Sequence, residues 1–478
     1  MLKSSRLSSL AESSSVKFGT SGLRGLVSEM TPELCFAYTS AFIQSIAKDA
    51  TEVVIGHDLR PSSPAIAAAC ISAIEYSGKT PVYCGVLPTP ALAYFALSIS
   101  APAIVITGSH IPFDRNGIKF YRAQGEITKD DELAMQSAHV DVPEPIALSA
   151  LPEVDDRARQ AYLKRYTEFF GESALAGSRV LFYEHSCAAR GILNQVLTEL
   201  GCEVISVGRT DEFVPIDTEA VRIEDIEQAK RWASEYEFDG IFSTDGDADR
   251  PLLGDEKGEW FRGDVVGVLC AHFLGAESVV APVSCNSVLE LSQYFKQTQR
   301  TRIGSPYVIE GMQSLARAKG SGVVVGYEAN GGFLLGSEIH QQGSTLQPLP
   351  TRDAILPMLS LLVMARKKKC ALSALRDRLP ARYTYSNRLQ NIDPDVSKKL
   401  LVELEGFEYL LRKVVPLEDS VERMDKTDGL RLYFSNGEIV HFRPSGNAPE
   451  LRCYCESESE QRSEYLCESS LQRLASLV

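Results

Sequence analysis

Apolar and polar positions along this chain repeat one pattern three times: a short apolar run rich in β-branched residues, a stretch with helical period, closed by glycine in the first two copies, and a lead into a further element, which in those two is a second short apolar run. The first copy begins at Glu52-Val-Val-Ile-Gly-His-Asp-Leu-Arg60, which predicts a strand ending in polar residues, then a helix over residues 63–77 stopped by Gly78, then a strand over 81–83. The second predicts a strand over 179–184, a helix over 188–200 stopped by Gly201 and a strand over 203–207. The third predicts a strand over 278–283, a helix over 286–295 and a lead into the next element at 301–304. Three further apolar runs break abruptly into glycine and polar residues: Ala103-Ile-Val-Ile-Thr-Gly-Ser-His-Ile-Pro112, Gly240-Ile-Phe before Ser243, and Gly322-Val-Val-Val-Gly-Tyr-Glu-Ala-Asn-Gly-Gly332. From about residue 383 the pattern changes to strands over 429–434 and 439–442, joined by the turn Ser435-Asn436-Gly437.

Repetition of strand, helix and strand implies an α/β fold of three tandem, similar domains with mixed sheets, followed by a smaller α+β domain. Prolines 143, 145 and 152, the polar turn 255–258 and the basic helical stretch 366–369 set the expected domains at residues 1–150, 151–256, 257–372 and 373–478. At 478 residues the chain exceeds what one core can hold, and 44% hydrophobic residues supply several.

Charge narrows the partners. The 49 basic against 63 acidic residues give a net −14, which argues against nucleic acid and anionic membranes and requires a local cationic site for any anionic ligand. Eleven cysteines without a Cys-x-x-Cys pair read as reduced thiols of the cytosol. The first sixteen residues lack the apolar core of a signal peptide, and no run is long enough for a membrane span, so the expected location is cytoplasmic.

Four loops, and a glycine-rich segment near the N-terminus, could carry chemistry. Ser109 stands at a strand end beside Gly108, which lets a phosphate approach the backbone; a Gly-Ser pair also serves as a plain turn. Lys17-Phe-Gly-Thr-Ser-Gly-Leu-Arg-Gly25 suits a tight loop presenting Arg24 to an anion, or a lead-in to the helix that Thr31 caps. In Ser243-Thr-Asp-Gly-Asp-Ala-Asp-Arg250 the carboxylates of Asp245, Asp247 and Asp249 converge on a hard cation if the segment turns. A calcium loop is the rival, since Glu256 is twelfth when Asp245 is first, but Arg250 stands where that loop needs glycine, which favours Mg²⁺. Glu328 and Asn330 suit vicinal sugar hydroxyls or a hairpin turn. Arg443-Pro-Ser-Gly-Asn-Ala-Pro-Glu-Leu-Arg452 offers two arginines, Ser445 and Asn447 as a phosphate nest, or an ordinary surface loop.

Together, in this order, the loops resemble those of the α-D-phosphohexomutases, nearest in kind to bacterial phosphomannomutases that also act as phosphoglucomutases. The resemblance runs from Gly19-Thr-Ser-Gly-Leu-Arg-Gly25 to Arg452, and Thr107-Gly-Ser-His110 and Asp245-Gly-Asp-Ala-Asp-Arg250 are its most specific parts. It implies a central cleft between four domains, the last acting as a lid, and an isomerase that moves a phosphoryl group between the C6 and C1 hydroxyls of a hexose phosphate. The route would be a phosphoserine at Ser109 and a hexose 1,6-bisphosphate, which also serves as activator. One Mg²⁺ per chain would join Ser109, Asp245, Asp247 and Asp249. Arg24 and Arg250 would hold the active phosphate, Glu328 and Asn330 the sugar, and Arg443, Ser445, Asn447 and Arg452 the distal phosphate. Lys119 matches the family's proton-transfer lysine, with a pKa expected to be lowered by the metal and Arg24. His110 is expected to contact phosphate or sugar rather than Ser109, since neighbours in extended chain face apart.

Three departures leave phosphoryl transfer intact and the sugar open. Ile111 follows His110 where relatives have asparagine, Gly332 stands where many have a histidine, with His340 as a distant substitute, and Asn447-Ala448 replaces Thr-Glu. Mannose phosphate is the leading substrate, with glucose and glucosamine phosphates as rivals and a non-catalytic sugar-phosphate binder as the reading from another class. A monomer or homodimer is expected.

Overall fold

In the computed structural model, which describes residues 2–19, 22–341, 343–416, 419–445 and 450–477, each apolar repeat closes into a mixed sheet of its own. Glu52–His57 pairs in parallel with Thr80–Val86 and Ala103–Ile106, and Ala103–Ile106 turns back antiparallel onto Arg115–Arg122, beside which lies Leu23–Leu26. Arg179–Tyr183 pairs in parallel with Glu203–Val207 and Gly240–Thr244, and the last turns back onto Pro251–Asp255. Ser278–Pro282 pairs in parallel with Gln297–Thr301 and Val324–Tyr327; Val324–Tyr327 turns back onto Phe333–Leu335, which pairs Leu349–Asp353. The fourth sheet is antiparallel throughout, in the order Tyr383–Gln390, Glu450–Ser457, Ile439–Pro444, Leu430–Phe434, Val421–Asp425.

The central strands read as unbroken apolar runs because both of their faces are covered; Ile104, Val105 and Ile106 are fully buried, as are Val324 and Val325. One core runs through Tyr162, Phe182, Phe242, Val279, Tyr327 and Leu359 and welds the second and third sheets to a face of the first. The fourth sheet has a separate core around Leu404, Val440, Phe442 and Leu466. It is joined to the third through Glu456, which accepts from Ser287 N and Oγ and from Arg382 Nε at 2.7 Å, with Arg431 at 3.8 Å.

The three sheets place their reversal loops alike. Residues 107–114, 245–250 and 328–332 are each the connection from a strand in parallel pairing to its antiparallel neighbour. Ser109, the aspartates and Glu328 therefore occupy one structural position in three copies, at the carboxyl ends of strands where ligands bind in open α/β sheets.

Two elements differ from the expected ones. The helix expected over 286–295 spans only Val288–Leu291, because Gln293 turns left-handed at φ 55° and the chain enters Gln297–Thr301. The serine-rich N-terminus forms a strand, Leu2–Arg6, paired antiparallel with His139–Pro143, and a short helix that buries Leu7. Edge pairing of this kind needs backbone partners more than apolar side chains, so a polar sequence conceals it.

Candidate functional site

Ser109 is buried, with φ 51°. Its N–H is held by Thr107 Oγ1 at 2.8 Å, and its hydroxyl donates to Asp245 Oδ2 at 2.5 Å. The loop is braced by Arg60, a fully buried side chain that donates to the carbonyls of Ser109, Ile111, Pro112 and Arg115 at 2.5–3.1 Å. Asp58 balances it at 3.4 Å and accepts from Gly108 N at 3.3 Å. Gly108 is required by this brace, since a Cβ there would lie 2.5 Å from Arg60 Cζ. Arg60 carries no motif of its own and was not among the expected site residues.

Because Ser109 leaves the extended conformation, His110 is not turned away as expected: its Nδ1 lies 3.3 Å from Ser109 Oγ and accepts from Arg250 Nη1 at 3.0 Å. Arg250 first, then burial, then Arg24 hold the imidazole down to about 2, so it is neutral with its proton on Nε2.

Asp245, Asp247 and Asp249 are buried with carboxylate oxygens within 4.8 Å of one another. Each spends oxygens on protein donors. Asp245 accepts from Ser109 and Arg250 N; Asp247 Oδ2 accepts from Thr89 Oγ1 and from Lys119 Nζ at 2.6 Å; Asp249 Oδ2 accepts from Lys119 at 2.7 Å and from Arg352 Nη2 at 2.7 Å. Asp247 Oδ1 and Asp249 Oδ1 remain buried without a hydrogen bond among the described residues. Burial, then Asp247 and Asp249, push the Asp245 carboxyl well above its ordinary range. Two buried carboxylate oxygens without a hydrogen bond, beside a third buried carboxyl, fit a hard divalent cation, which prefers a few such oxygens and leaves room for phosphate. Glu256 belongs elsewhere: its carboxylate accepts from Ser373 N and Oγ, so the twelve-residue calcium loop is not formed.

Lys119 reverses the expected shift. Burial pulls its ammonium down, but Asp247 and Asp249 outweigh that and hold it above the ordinary value. Arg24, on the strand beside Arg115–Arg122, is pulled down to about 10 by burial and by Arg250 and Arg352.

Arg352 is the second residue the motifs did not reveal. From Leu349–Asp353 it bridges Asp249 to Glu328 Oε2, the latter at 3.1 Å, and so joins the loop 245–250 to the loop 328–332. Glu328 is buried in the same network, whereas Asn330 Oδ1 is occupied by Gly332 N at 2.9 Å. His340, exposed on a hairpin, pairs with Glu338 at 3.4 Å and Thr345 at 3.1 Å and makes no contact with this network among the described residues.

The fourth sheet contributes a separate group. Arg443 is tied to Asp428 at 2.9 Å and Arg452 faces Glu450 at 3.5 Å; Ser445 is buried at the end of the loop, and Asn447 lies outside the described residues. Glu219 lies between the two groups. Thr218 fixes it by donating to Asn330 O at 2.7 Å, and burial, with Asp217, lifts its carboxyl against the pull of Arg262, Arg250 and Arg452. Those three arginines each keep a buried Nε–H without an acceptor among the described residues.

Among known proteins, the phosphoglucomutase/phosphomannomutase α/β/α domain I matches residues 15–139, domain II 160–258, domain III 262–383 and the C-terminal domain 389–471. A phosphomannomutase of Salmonella muenchen is 46% identical over 97% of this chain and 96% of its own length. One of Sinorhizobium fredii is 42% identical over 95% and 98%. The crystal structure of a phosphoglucomutase/phosphomannomutase family protein from Burkholderia thailandensis superposes with a TM-score of 0.74 at 18% identity, covering 96% of this chain and 97% of that one. No helix among the described residues is long and apolar enough to cross a membrane.

Proposed function

The chain belongs to the phosphoglucomutase/phosphomannomutase family, and from that membership we propose that it is a Mg²⁺-dependent phosphomannomutase of the cytosol, converting mannose 6-phosphate to mannose 1-phosphate and back. The observation that carries the reading is the line of contacts from Ser109 to Asp245, from Asp245 through Arg250 to Asp249, which Lys119 ties to Asp247, and from Asp249 through Arg352 to Glu328, which brings three separate loops to one point. Two relatives above 40% identity that carry the phosphomannomutase name support mannose as the sugar.

Ser109 carries the phosphoryl group. Bound at Asp245, Asp247 and Asp249, Mg²⁺ would supply charge neutralisation at the phosphoryl oxygens, which is most of what a protein can offer a loose phosphoryl-transfer transition state. Arg24 and Arg250 clamp the same oxygens. Glu328 and Asn330 orient the sugar hydroxyls, and Arg443, Ser445, Asn447 and Arg452 hold the distal phosphate so that the free hydroxyl faces Ser109. Lys119, charged at rest, gives its proton to Ser109 Oγ as the phosphoryl group departs and takes back the proton released by the attacking hydroxyl. The product of this half-reaction is hexose 1,6-bisphosphate. Once it has turned round, its other phosphate returns to Ser109, and the same bisphosphate supplied from outside primes the enzyme.

Coupled assays with mannose 1-phosphate, glucose 1-phosphate and glucosamine 6-phosphate in the presence of Mg²⁺ and a bisphosphate test the proposal. The highest kcat/KM is expected on mannose 1-phosphate. Turnover confined to glucosamine phosphate, or none on any of the three, would refute it.

A further inference from the structure

Arg352 joins carboxylates from two separate loops of the site and stands outside every motif. It is 3% exposed, and its guanidinium reaches Asp249 Oδ2 through Nε at 3.1 Å and Nη2 at 2.7 Å and Glu328 Oε2 through Nη1 at 3.1 Å. A planar fork with donors on several edges can hold two carboxylates from different loops at once; a lysine ammonium in the same place is a point charge without that geometry.

The sugar loop leaves room for it. A Cβ built on Gly332 would lie 2.5 Å from Arg352 Cδ, 2.7 Å from Cγ and 3.1 Å from Cβ, so any side chain at 332 collides with the whole stem rather than a mobile tip. Backbone φ at Gly332 is not what demands glycine there; the passage of Arg352 is. The strand carrying Arg352 is fixed in turn. Asp353 accepts from Tyr162 Oη at 2.7 Å, from Tyr166 and from Ile355 N at 3.0 Å, while Thr351 donates to Glu126 at 2.7 Å.

We infer that Arg352 is a positioning residue that sets the sugar-binding carboxylate Glu328 against the metal loop, and that Gly332 is bare to admit it. The inference rests on the proposed function for the identity of the substrate. It has a consequence for specificity: the orientation of Glu328 toward sugar hydroxyls depends on a residue that itself contacts the metal loop, so the two loops act as one unit. Asp249 keeps its own orientation without Arg352, because Lys119 still holds the same Oδ2 at 2.7 Å.

Steady-state kinetics on the full chain with R352Q, R352K and G332A, read beside Mn²⁺ binding to the substrate-free protein by paramagnetic resonance titration, test this. R352Q should raise KM for the hexose phosphate on the order of tenfold, the effect of losing a charged hydrogen bond to a binding carboxylate. R352K, which keeps the charge but not the fork, should recover part of the loss and carries the test if R352Q does not fold. G332A should shift KM in the same direction, and R352Q/G332A should be no worse than R352Q alone. Mn²⁺ binding should not weaken, since its ligands stay oriented and a nearby positive charge is gone. A KM for R352Q within about twofold of the unaltered chain, additive effects of R352Q and G332A, or Mn²⁺ binding weakened as far as in D249N would each overturn the inference. Absence of any turnover by the unaltered chain would sink the proposed function instead; calorimetric binding of hexose phosphate to R352Q and G332A would then read the same tether directly.

Discussion

Asp247 and Asp249 each present one buried oxygen without a hydrogen bond among the described residues, and each has its other oxygen fixed by Lys119. An Asp247→Asn exchange keeps the shape and the bond from Thr89 but removes a charge where, on the proposed reading, the phosphoryl group is neutralised. It should lower kcat on the order of 10²–10³-fold with KM nearly unchanged, which initial-rate kinetics at saturating Mg²⁺ would check. Histidines give a pH prediction away from this centre. Burial holds His185 and His441 down to about 4 each, with Nε2 donating to Thr244 O and Asp428 O. Their folded pKa lies below the unfolded value near 6.5, so the unfolded chain binds the extra proton. The contribution of these two histidines to stability is therefore flat above pH 6.5 and falls as pH drops toward 4, by about 1.4 kcal/mol per unit for each histidine. Urea unfolding across that window should show this slope, and His441→Gln should remove about one proton's share of it. The reading fails if the slope is the same in the variant.

Helices and strands decide which of these residues meet. Asp353 ties the strand bearing Arg352 to the helix Arg157–Phe170 through Tyr162 and Tyr166. Tyr166→Phe should cost about 1–3 kcal/mol, because a buried carboxylate loses a donor, a loss that thermal unfolding would show as a lower Tm. The sheets were legible in the sequence because both-face burial writes itself as continuous β-branched runs, and the hairpin over 430–444 because Asn436-Gly437 names its turn. The helix after residue 286 was not, since its early stop rests on a left-handed Gln293 that no composition signals. The aspartates and Ser109 were legible as motifs. Arg60, Arg352 and Glu219 were not, because each lies far in sequence from the groups it serves and only the pairing of Leu349–Asp353 with Phe333–Leu335 brings Arg352 to Gly332. The shift of Lys119 was misjudged for the same reason: the sequence places it near a cation site, while the fold places it between two carboxylates.

Across the whole molecule, a chain of net charge −14 gathers Arg24, Arg250, Arg352 and Lys119 around one carboxylate cluster, so the proposed anion binding would be a local property set against the overall field. The fourth sheet, with its own core, meets the rest at Glu456, where Ser287, Arg382 and Arg431 converge. Glu456→Gln leaves two buried arginines undercompensated and should destabilise this joint by about 3 kcal/mol. Hydrogen exchange should quicken across residues 383–457 while the strands of the first sheet stay protected; uniform exchange would show that the joint is not a separable unit. The central claim is that one serine carries the phosphoryl group between the two ends of a hexose. Its most direct test is the intact mass of the protein after hexose 1,6-bisphosphate treatment, followed by a chase with mannose 6-phosphate. One phosphate should appear on Ser109, be absent in Ser109→Ala, and leave with the chase. Isomerisation that proceeds with Ser109 unmodified, or a phosphate that stays on the protein through the chase, would contradict the account.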